Sequence, residues 1–286
     1  MQDSPLAPRP AWLAGALNAI GRHRFLTARQ LAAVVDVVAS DVAAVLDALV
    51  VERILVRLHP TRMLDGPEPD AAFALTRRGA ALVASATGAR PAVANTKRSM
   101  YMLAHELAVN DLAIVFEVLH AKRRLRLLRW ETTREKIACH AHVRDRGSLR
   151  RVPLVADALA VLDVGGRTST LLVEVDRNTL GIPRMRTKYA GYHAWWREDG
   201  PLQRFGTKSL RVLTLAPTPG RVERLRACAI DATEGRASGL FWFGEQAVAN
   251  VALPARILDA AFTPAKREDA TRQALFATTA VPAADA

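Results

Sequence analysis

Apolar side chains in the first 50 residues recur at helical spacing, and polar residues mark where each helix begins. Leu and Ile repeat every three to four positions over residues 11–22, which predicts a first helix. The Thr27-x-x-Gln30 segment is a capping box that begins a second helix, and Ser40 begins a third helix after a short connection. Two short helices joined by a tight connection predict a helix-turn-helix.

Behind the third helix, apolar runs at residues 54–58 and 72–76 predict two strands, and the loop between them carries Gly66 and three prolines. A strand, a loop and a strand directly behind a helix-turn-helix form a wing. The order resembles the winged-helix DNA-binding domain, and the residues that carry the resemblance are Leu26-Thr27, Gln30-Leu31, Leu46, Leu49, residues 54–57, residues 73–76 and Gly79. We therefore predict a winged helix-turn-helix domain over residues 1–90.

The resemblance implies that one helix enters the major groove of DNA while the wing lies along phosphates. The third predicted helix departs from this pattern. Residues 40–51 carry Asp41 and Asp47 but neither Arg nor Lys, which are the side chains that most often read guanine. An alternative is that this domain docks another protein or forms a homodimer.

The apolar pattern after residue 98 mixes helices and strands. A long helix is predicted over residues 99–120 and a strand over residues 125–131. Two runs rich in Val and Leu follow, separated by Gly165-Gly166, and predict a β-hairpin. A further strand, an amphipathic helix and a last strand complete a mixed sheet with helices on its faces, which is an α/β (α+β) fold. We assign residues 98–245 to this domain and residues 246–286 to a partly mobile C-terminal extension.

Three carboxylates stand at the ends of the hairpin strands. Asp157 begins the first strand, and Glu174 and Asp176 end the second strand on one face. Because a tight hairpin brings the start of one strand beside the end of the next, we expect the three to converge. Such oxygen ligands suit Mg²⁺ or Mn²⁺, and a bound ion would relieve the repulsion between the charges. The alternative is that these acids are solvated strand ends.

After the hairpin, Pro183 opens a basic helix that contains several aromatic residues. Tyr189, Tyr192 and Trp196 are spaced three and four residues apart, so they are expected to share the face turned to the sheet. We predict that Trp195 and Trp196 are mainly structural. Base stacking by one of them is the alternative.

The charge balance favours a polyanionic partner, and DNA is the first candidate. The chain has 40 Lys and Arg against 28 Asp and Glu, a formal charge of +12 and a pI of about 10.7. Between Lys122 and Arg151 there are 11 basic and 3 acidic residues. This stretch, hereafter the basic segment, is expected to lie along a phosphate backbone. The predicted DNA contacts are Lys122, Arg123, Arg124, Arg126, Arg129, Arg177, Arg184 and Arg186.

The composition also argues against a membrane protein and a disulfide framework. No apolar run approaches the roughly 20 residues that span a bilayer, and the N-terminus lacks the layout of a signal peptide, so we expect a cytoplasmic protein without a membrane partner. The two cysteines, Cys139 and Cys228, are predicted to be plain thiols. A metal site at Cys139, His140 and His142 is the alternative.

The second domain resembles two related groups of proteins. Its order of elements, with an acid at the start of the second strand and a Glu at the end of the third, resembles the PD-(D/E)xK nuclease core. Together with the preceding winged helix, several of its motifs resemble the replication-relaxation family of bacterial plasmid and mobile-element proteins. These motifs are residues 105–111, Trp130-Glu131, residues 156–158, residues 174–179 and Lys188-Tyr189.

The nuclease resemblance implies that Asp157 and Glu174 hold Mg²⁺ or Mn²⁺, which would activate a water at the scissile phosphate. It also implies that Glu106 or Asp111 of the long helix is a third metal ligand.

The chain departs from the nuclease pattern beside both acids. Ala156 stands where a proline precedes the first acid, and Asp176 stands where a lysine is expected two residues after Glu174. Asp176 and Lys188 are the remaining candidates for the catalytic site, since Lys188 offers an ammonium from the following helix.

These features predict a DNA-binding accessory protein of plasmid or mobile-element replication and relaxation, with a nuclease-like domain that is catalytically degenerate. One alternative is an active Mg²⁺-dependent endonuclease or nickase that uses Asp157 and Glu174. Another is a winged-helix transcriptional regulator. The partners expected besides DNA are other replication, transfer or defence proteins.

Overall fold

A computed structural model describes residues 9–60, 70–88, 90–93, 100–145, 148–178 and 180–276. The fold is mixed α/β, as predicted, and the chain forms two compact units, residues 1–114 and 115–286. The domain boundaries given above stay a prediction. The predicted wing loop at residues 61–69, most of the linker before the long helix and the last ten residues of the extension lie outside the described residues. No described helix is long and apolar enough to cross a membrane.

The first unit contains the predicted helices and strands in the predicted order, and one further strand of two residues before the second helix. They are α1 (Leu13–His23), β1 (Leu26–Thr27), α2 (Ala28–Val35), α3 (Ala39–Val51), β2 (Leu55–Leu58), β3 (Ala72–Leu75), α4 (Arg77–Thr87) and α5 (Met100–Ala121), whose last turns belong to the second unit. The three strands form an antiparallel sheet in the order β1-β3-β2. The predicted capping box is confirmed, because the Thr27 hydroxyl accepts a hydrogen bond from the backbone amide of Gln30 and the side-chain oxygen of Gln30 accepts one from the backbone amide of Thr27.

The second unit adds strands and helices on both sides of the predicted hairpin. These are β4 (Arg126–Glu131), α6 (Arg134–Ile137), β5 (Cys139–Asp145), β6 (Ser148–Leu154), β7 (Ala158–Val164), β8 (Arg167–Val175), α7 (Ile182–Arg197), α8 (Gly200–Phe205), β9 (Leu210–Ala216), α9 (Pro219–Thr233), β10 (Phe241–Glu245) and β11 (Thr263–Pro264). Two short 3₁₀ helices, Gln246–Val248 and Pro254–Leu258, precede β11.

Six of these strands form one mixed sheet in the order β11-β10-β9-β8-β7-β4. The β7–β8 hairpin is confirmed. Its turn residues Gly165 and Gly166 have φ of +60° and +78°, the left-handed conformations that a tight hairpin turn needs and that glycine adopts without strain. β8, β9 and β10 run parallel, while β7, β4 and β11 are antiparallel to their neighbours.

A continuous cluster of buried side chains joins this sheet to α7 and α9. Leu172 of β8, Val212 of β9 and Phe241 of β10 belong to it, together with Tyr189 of α7 and Leu225 of α9. The cluster fixes both helices over the strand ends that carry the predicted acids. It is therefore the scaffold of the candidate site.

The strands β5 and β6 form a separate two-stranded sheet that the sequence analysis did not predict. The ribbon packs on α7, where a Cβ at Gly191 would lie 2.8 Å from Leu154 Cδ2 and 3.1 Å from Val152 Cγ1. Only glycine permits this close approach. The inner face of the ribbon is thus fixed on the helix.

The prediction for the tryptophans is half right. Trp195 is buried and its ring meets Phe205 of α8 edge to face, as a structural residue should. Trp196 is 38% exposed, and its ring stacks on His193. Because Trp195, three residues after Tyr192, takes the buried position, the next residue is turned about 100° away from it.

The end of the described chain packs on the second unit. β11 pairs with β10, and Leu275 and Phe276 are buried. Phe276 meets Phe116 edge to face. β11, Leu275 and Phe276 therefore make apolar contacts that the Ala- and Pro-rich composition of the extension did not indicate.

Candidate functional site

The end of β8 places Glu174 in a buried polar cluster formed with α7. Lys188 Nζ lies 2.5 Å from Glu174 Oε2 and donates to the carbonyl oxygen of Val155 at 3.0 Å. The Tyr192 hydroxyl donates to Glu174 Oε1 at 2.5 Å. Lys188 and Tyr192 are four residues apart, so they share one face of the helix and each engages one oxygen of the same carboxylate.

Asp157 stands beside this cluster at the start of β7. Its backbone amide donates to the Val173 carbonyl oxygen at 2.8 Å, and its Oδ2 accepts from the Val175 amide at 2.7 Å. The hairpin therefore brings Asp157 to the end of β8, as the strand register required. Asp157 is close enough to Glu174 for its charge to act on that carboxyl.

Burial is the main cause of the unusual titration of Glu174. It raises the pKa of Glu174 to about 7 from an ordinary 4.5, the positive charge of Lys188 opposes the rise, and the negative charge of Asp157 adds to it. Burial is the largest single influence on the pKa of Lys188 and would lower it. The charge of Glu174, its hydrogen bond with Lys188 and the charge of Asp157 together outweigh burial and raise the pKa. The pair therefore favours a charged lysine beside a carboxyl that takes up a proton near neutral pH.

Asp176 is neutralised by a different cation. Arg221 of α9 donates to it twice, from Nε to Oδ2 at 2.7 Å and from a terminal nitrogen to Oδ1 at 3.2 Å. Both side chains are at most 5% exposed. Arg221 also donates to the carbonyl oxygen of Leu180, and Gln246 donates to the backbone oxygen of Asp176. The residue that replaces the expected lysine is thus one half of a buried ion pair.

The metal predictions concern acids that the structure places in different surroundings. Among the described residues, no group of three or more His, Cys, Asp or Glu side chains is arranged to hold a metal ion. The same finding covers Cys139, His140 and His142; both cysteines are free thiols. Asp157 and Glu174 supply carboxylate oxygens that suit Mg²⁺ or Mn²⁺, but the Lys188 ammonium stands against Glu174. As arranged, this set does not fit a divalent cation.

The other two predicted metal ligands, Glu106 and Asp111, belong to the first unit. Asp111 accepts from the Gln30 side chain at 2.9 Å and pairs with Arg29 at 3.3 Å. Burial raises its pKa, while Arg29 and Gln30 act in the opposite direction. The neighbouring Asn110 donates to the carbonyl oxygen of Phe25 at 2.8 Å. This Asn-Asp pair therefore joins α5 to α2 and the segment before it.

Seven of the eight predicted DNA contacts are exposed. Arg126 and Arg129 lie on β4, the edge strand of the six-stranded sheet, where the register shifts between Leu127 and Arg129. A bulge and positive charges on an edge strand discourage pairing with another chain. Arg177 differs from the other contacts because it is only 9% exposed. The exposed contacts are Lys122, Arg123, Arg124, Arg126, Arg129, Arg184 and Arg186.

Two residues of the site were not predicted. Tyr192 was assigned to the core, and its position four residues after Lys188 was the available signal for a shared contact. Arg221 lies 45 residues from Asp176, and no local pattern connects the two.

The raised pKa of Glu174 predicts a pH-dependent stability. The folded protein binds this proton more tightly than the unfolded chain, so the resulting stabilisation is complete below about pH 4.5 and is lost as pH rises through about 7. We expect the free energy of unfolding to fall by up to about 3 kcal/mol over this range, since one pKa unit corresponds to about 1.4 kcal/mol. Urea unfolding of wild type and Glu174→Gln at several pH values measures it. If the free energy of unfolding depended on pH in the same way for wild type and Glu174→Gln, Glu174 would not be the group that titrates.

One comparison with known proteins identifies the group to which the chain belongs. The sequence model of the replication-relaxation family matches residues 17–208. No curated protein and no solved structure matches the chain. The family match covers about two thirds of the 286 residues, so the resemblance drawn from the motifs is confirmed and the chain belongs to the replication-relaxation family.

Proposed function

We propose that this protein is a DNA-binding accessory factor whose second unit is a nuclease-like fold that does not cleave DNA. Membership of the replication-relaxation family suggests a role in plasmid or mobile-element replication or relaxation. The observation that carries the non-catalytic part of the proposal is that helix cations neutralise both acids at the end of β8. Lys188 pairs with Glu174, and Arg221 pairs with Asp176.

The chemistry of these pairs supports a structural use of the acids. Both oxygens of Glu174 accept from side chains of α7, and both oxygens of Asp176 accept from Arg221. A divalent ion would have to displace the ammonium and leave a lysine that is 19% exposed without its partner. Removing one member of a buried ion pair is costly because it leaves an uncompensated charge.

Exposed positive charge supports the DNA-binding part of the proposal. The exposed arginines and lysines of the basic segment lie after α5, along β4, in α6 and on the β5–β6 ribbon. Clustered cations of this kind bind the phosphate backbone and release counterions.

The first unit contributes through the winged-helix assignment, which rests on three helices and the three-stranded sheet. Asp47 of α3 pairs with Arg57 of β2, and Arg9 pairs with Glu52. These pairs offset acids on or beside the helix that a winged-helix protein inserts into DNA. A protein-docking or homodimerising first unit is the alternative consistent with the acidic helix.

The second candidate function is a metal-dependent nuclease that uses Asp157, Glu174 and Lys188. The observation in its favour is that the hairpin brings the two carboxylates together beside an ammonium. Two carboxylates that hold a metal ion, with a lysine positioned beside them, are the groups with which a nuclease of the PD-(D/E)xK type hydrolyses a phosphodiester.

A metal titration of Lys188→Met separates these two functions. If the ammonium stands where a cation would bind, removing it opens the position, and ions that bind only the folded protein raise its melting temperature. We expect about 10 mM Mn²⁺, roughly ten times the dissociation constant of a weak site, to leave the wild-type melting temperature unchanged. The same concentration should raise the melting temperature of Lys188→Met. The added change Glu174→Gln should cancel the rise. A wild-type shift as large as that of the variant would favour the nuclease.

A further inference from the structure

The outer face of the β5–β6 ribbon has a composition that the packing of the fold does not explain. Side chains alternate along each strand, so the face opposite to the one that packs at Gly191 carries His140, His142, Arg144, Leu149, Arg151 and Pro153. All six are exposed. The residues of the opposite face include Ala141, Val152 and Leu154, which are buried.

We propose that this outer face enters the major groove of duplex DNA and reads base edges there. The inference rests on the DNA-binding part of the proposed function and adds to it the element that recognises sequence. The positive charge and the shape of this face indicate duplex DNA as its occupant.

The register of the ribbon sets a row of cross-strand pairs that suits base recognition. Arg151 stands opposite His142, and Arg144 stands opposite Leu149. Arginine donates two hydrogen bonds to the O6 and N7 atoms of guanine, and apolar side chains contact the methyl group of thymine. Leu149, whose side chain is 67% exposed, would make such a contact with thymine.

The dimensions of the ribbon fit the groove. The major groove of B-form DNA is about 12 Å wide and admits a two-stranded β-ribbon, whose strands are about 4.8 Å apart before side chains are added. Each strand has seven residues and at about 3.3 Å per residue spans roughly 23 Å. The major groove of A-form RNA is deep and narrow, and side chains cannot read it. The face therefore suits duplex DNA.

The support of the ribbon also suits recognition. Its inner face is fixed on α7 through the close approach at Gly191, and Arg204 of α8 donates to the carbonyl oxygen of Glu135 in α6, the helix that precedes β5. A reading face held by a packed helix loses less conformational freedom when it binds. By contrast, the basic residues after α5 and along β4 lie outside the ribbon and would hold phosphates without reading sequence.

The test is a selection experiment with the full-length protein. A duplex pool with a randomised centre is enriched for binders by wild type, by Arg144→Ala/Arg151→Ala, and by the control Arg167→Ala/Arg236→Ala, which removes two exposed arginines outside the ribbon. We expect wild type and the control to enrich one shared motif. The ribbon variant should lose the motif and bind the selected duplex about tenfold more weakly for each arginine removed. Methyl green, a major-groove ligand, should displace wild type, whereas netropsin, a minor-groove ligand, should not.

The outcomes separate this inference from the proposed function. If the ribbon variant enriches the same motif with wild-type affinity, or if only netropsin displaces the protein, the ribbon does not read the major groove, and DNA binding by the part of the basic segment outside the ribbon stands. Enrichment of no motif by wild type overturns the inference in the same way. If wild type binds neither the pool nor any duplex, the proposed function fails as well. A duplex RNA of the selected sequence should bind at least tenfold more weakly than the DNA.

Discussion

Replacing Arg221 with Met should lower the free energy of unfolding by about 3–5 kcal/mol, the cost typical of breaking a buried ion pair from one side. The substitution keeps much of the apolar stem but removes both donors to Asp176 and the donor to the Leu180 carbonyl oxygen. Asp176 would then carry a negative charge in a site where its side chain is 3% exposed. Urea denaturation at pH 7 measures the change.

Two further variants test whether the unpaired charge of Asp176 causes the loss of stability in Arg221→Met. Asp176→Asn added to Arg221→Met removes the charge, so the double variant should be more stable than Arg221→Met alone. Arg236→Met breaks a pair with Glu234 in which both side chains are at least 65% exposed, and its effect should stay below about 1 kcal/mol because exposed ion pairs contribute little. A double variant no more stable than Arg221→Met would show that lost packing dominates.

Reversing Arg123, Arg124 and Arg126 to Glu should weaken DNA binding about 100-fold at 0.15 M salt, on any sequence. The three side chains are exposed at the start of the basic segment. In a plot of the logarithm of the binding constant against the logarithm of the salt concentration, each lost phosphate contact lowers the steepness of the slope by about one. The slope of the triple variant should therefore be less steep by about three. Fluorescence anisotropy with a mixed-sequence duplex, measured at several salt concentrations, gives both quantities.

A matched set of charge reversals controls for the change in net charge. Arg167, Arg236 and Arg256 are exposed arginines outside the basic segment, and reversing all three to Glu alters the total charge equally. This control should lose much less affinity than the triple variant. Equal losses would mean that binding responds to the charge of the whole protein rather than to the basic segment.

Local patterns predicted the elements better than they predicted the partners of the charged residues. The capping box at Thr27, the hairpin turn at Gly165-Gly166 and the Pro183 that opens α7 each act over four residues or fewer, and each was visible in the sequence. The hairpin register then placed Asp157 at the end of β8. These features depend on neighbours along the chain.

The contacts that decide the chemistry of the site depend on tertiary packing. Asp176 was read as part of a carboxylate cluster, but α9 brings Arg221 to it from 45 residues away. Asp111 was read as a metal ligand, yet in the first unit it accepts from Gln30 and pairs with Arg29. No periodicity in the sequence encodes which helix will cover a strand end.

The β5–β6 ribbon was missed for a related reason. Its high density of Arg and His was interpreted as a basic segment, and the short alternation of Ala141, Val143, Val152 and Leu154 was too weak to indicate strands. The fixed position of the ribbon comes from packing against α7 at Gly191. A glycine inside an aromatic helix was the sequence signal for a close approach.

Incubation with supercoiled plasmid shows whether the protein binds DNA without cutting it. Wild type, Asp157→Asn and Glu174→Gln are mixed with plasmid and Mg²⁺ or Mn²⁺. One half of each sample is run on a gel-shift gel to detect binding. The protein is removed from the other half, and a second gel separates supercoiled, nicked and linear plasmid. We expect wild type to shift the plasmid but to leave as much of it supercoiled as the two variants do. Nicked or linear plasmid formed by wild type and absent with both variants would contradict the claim.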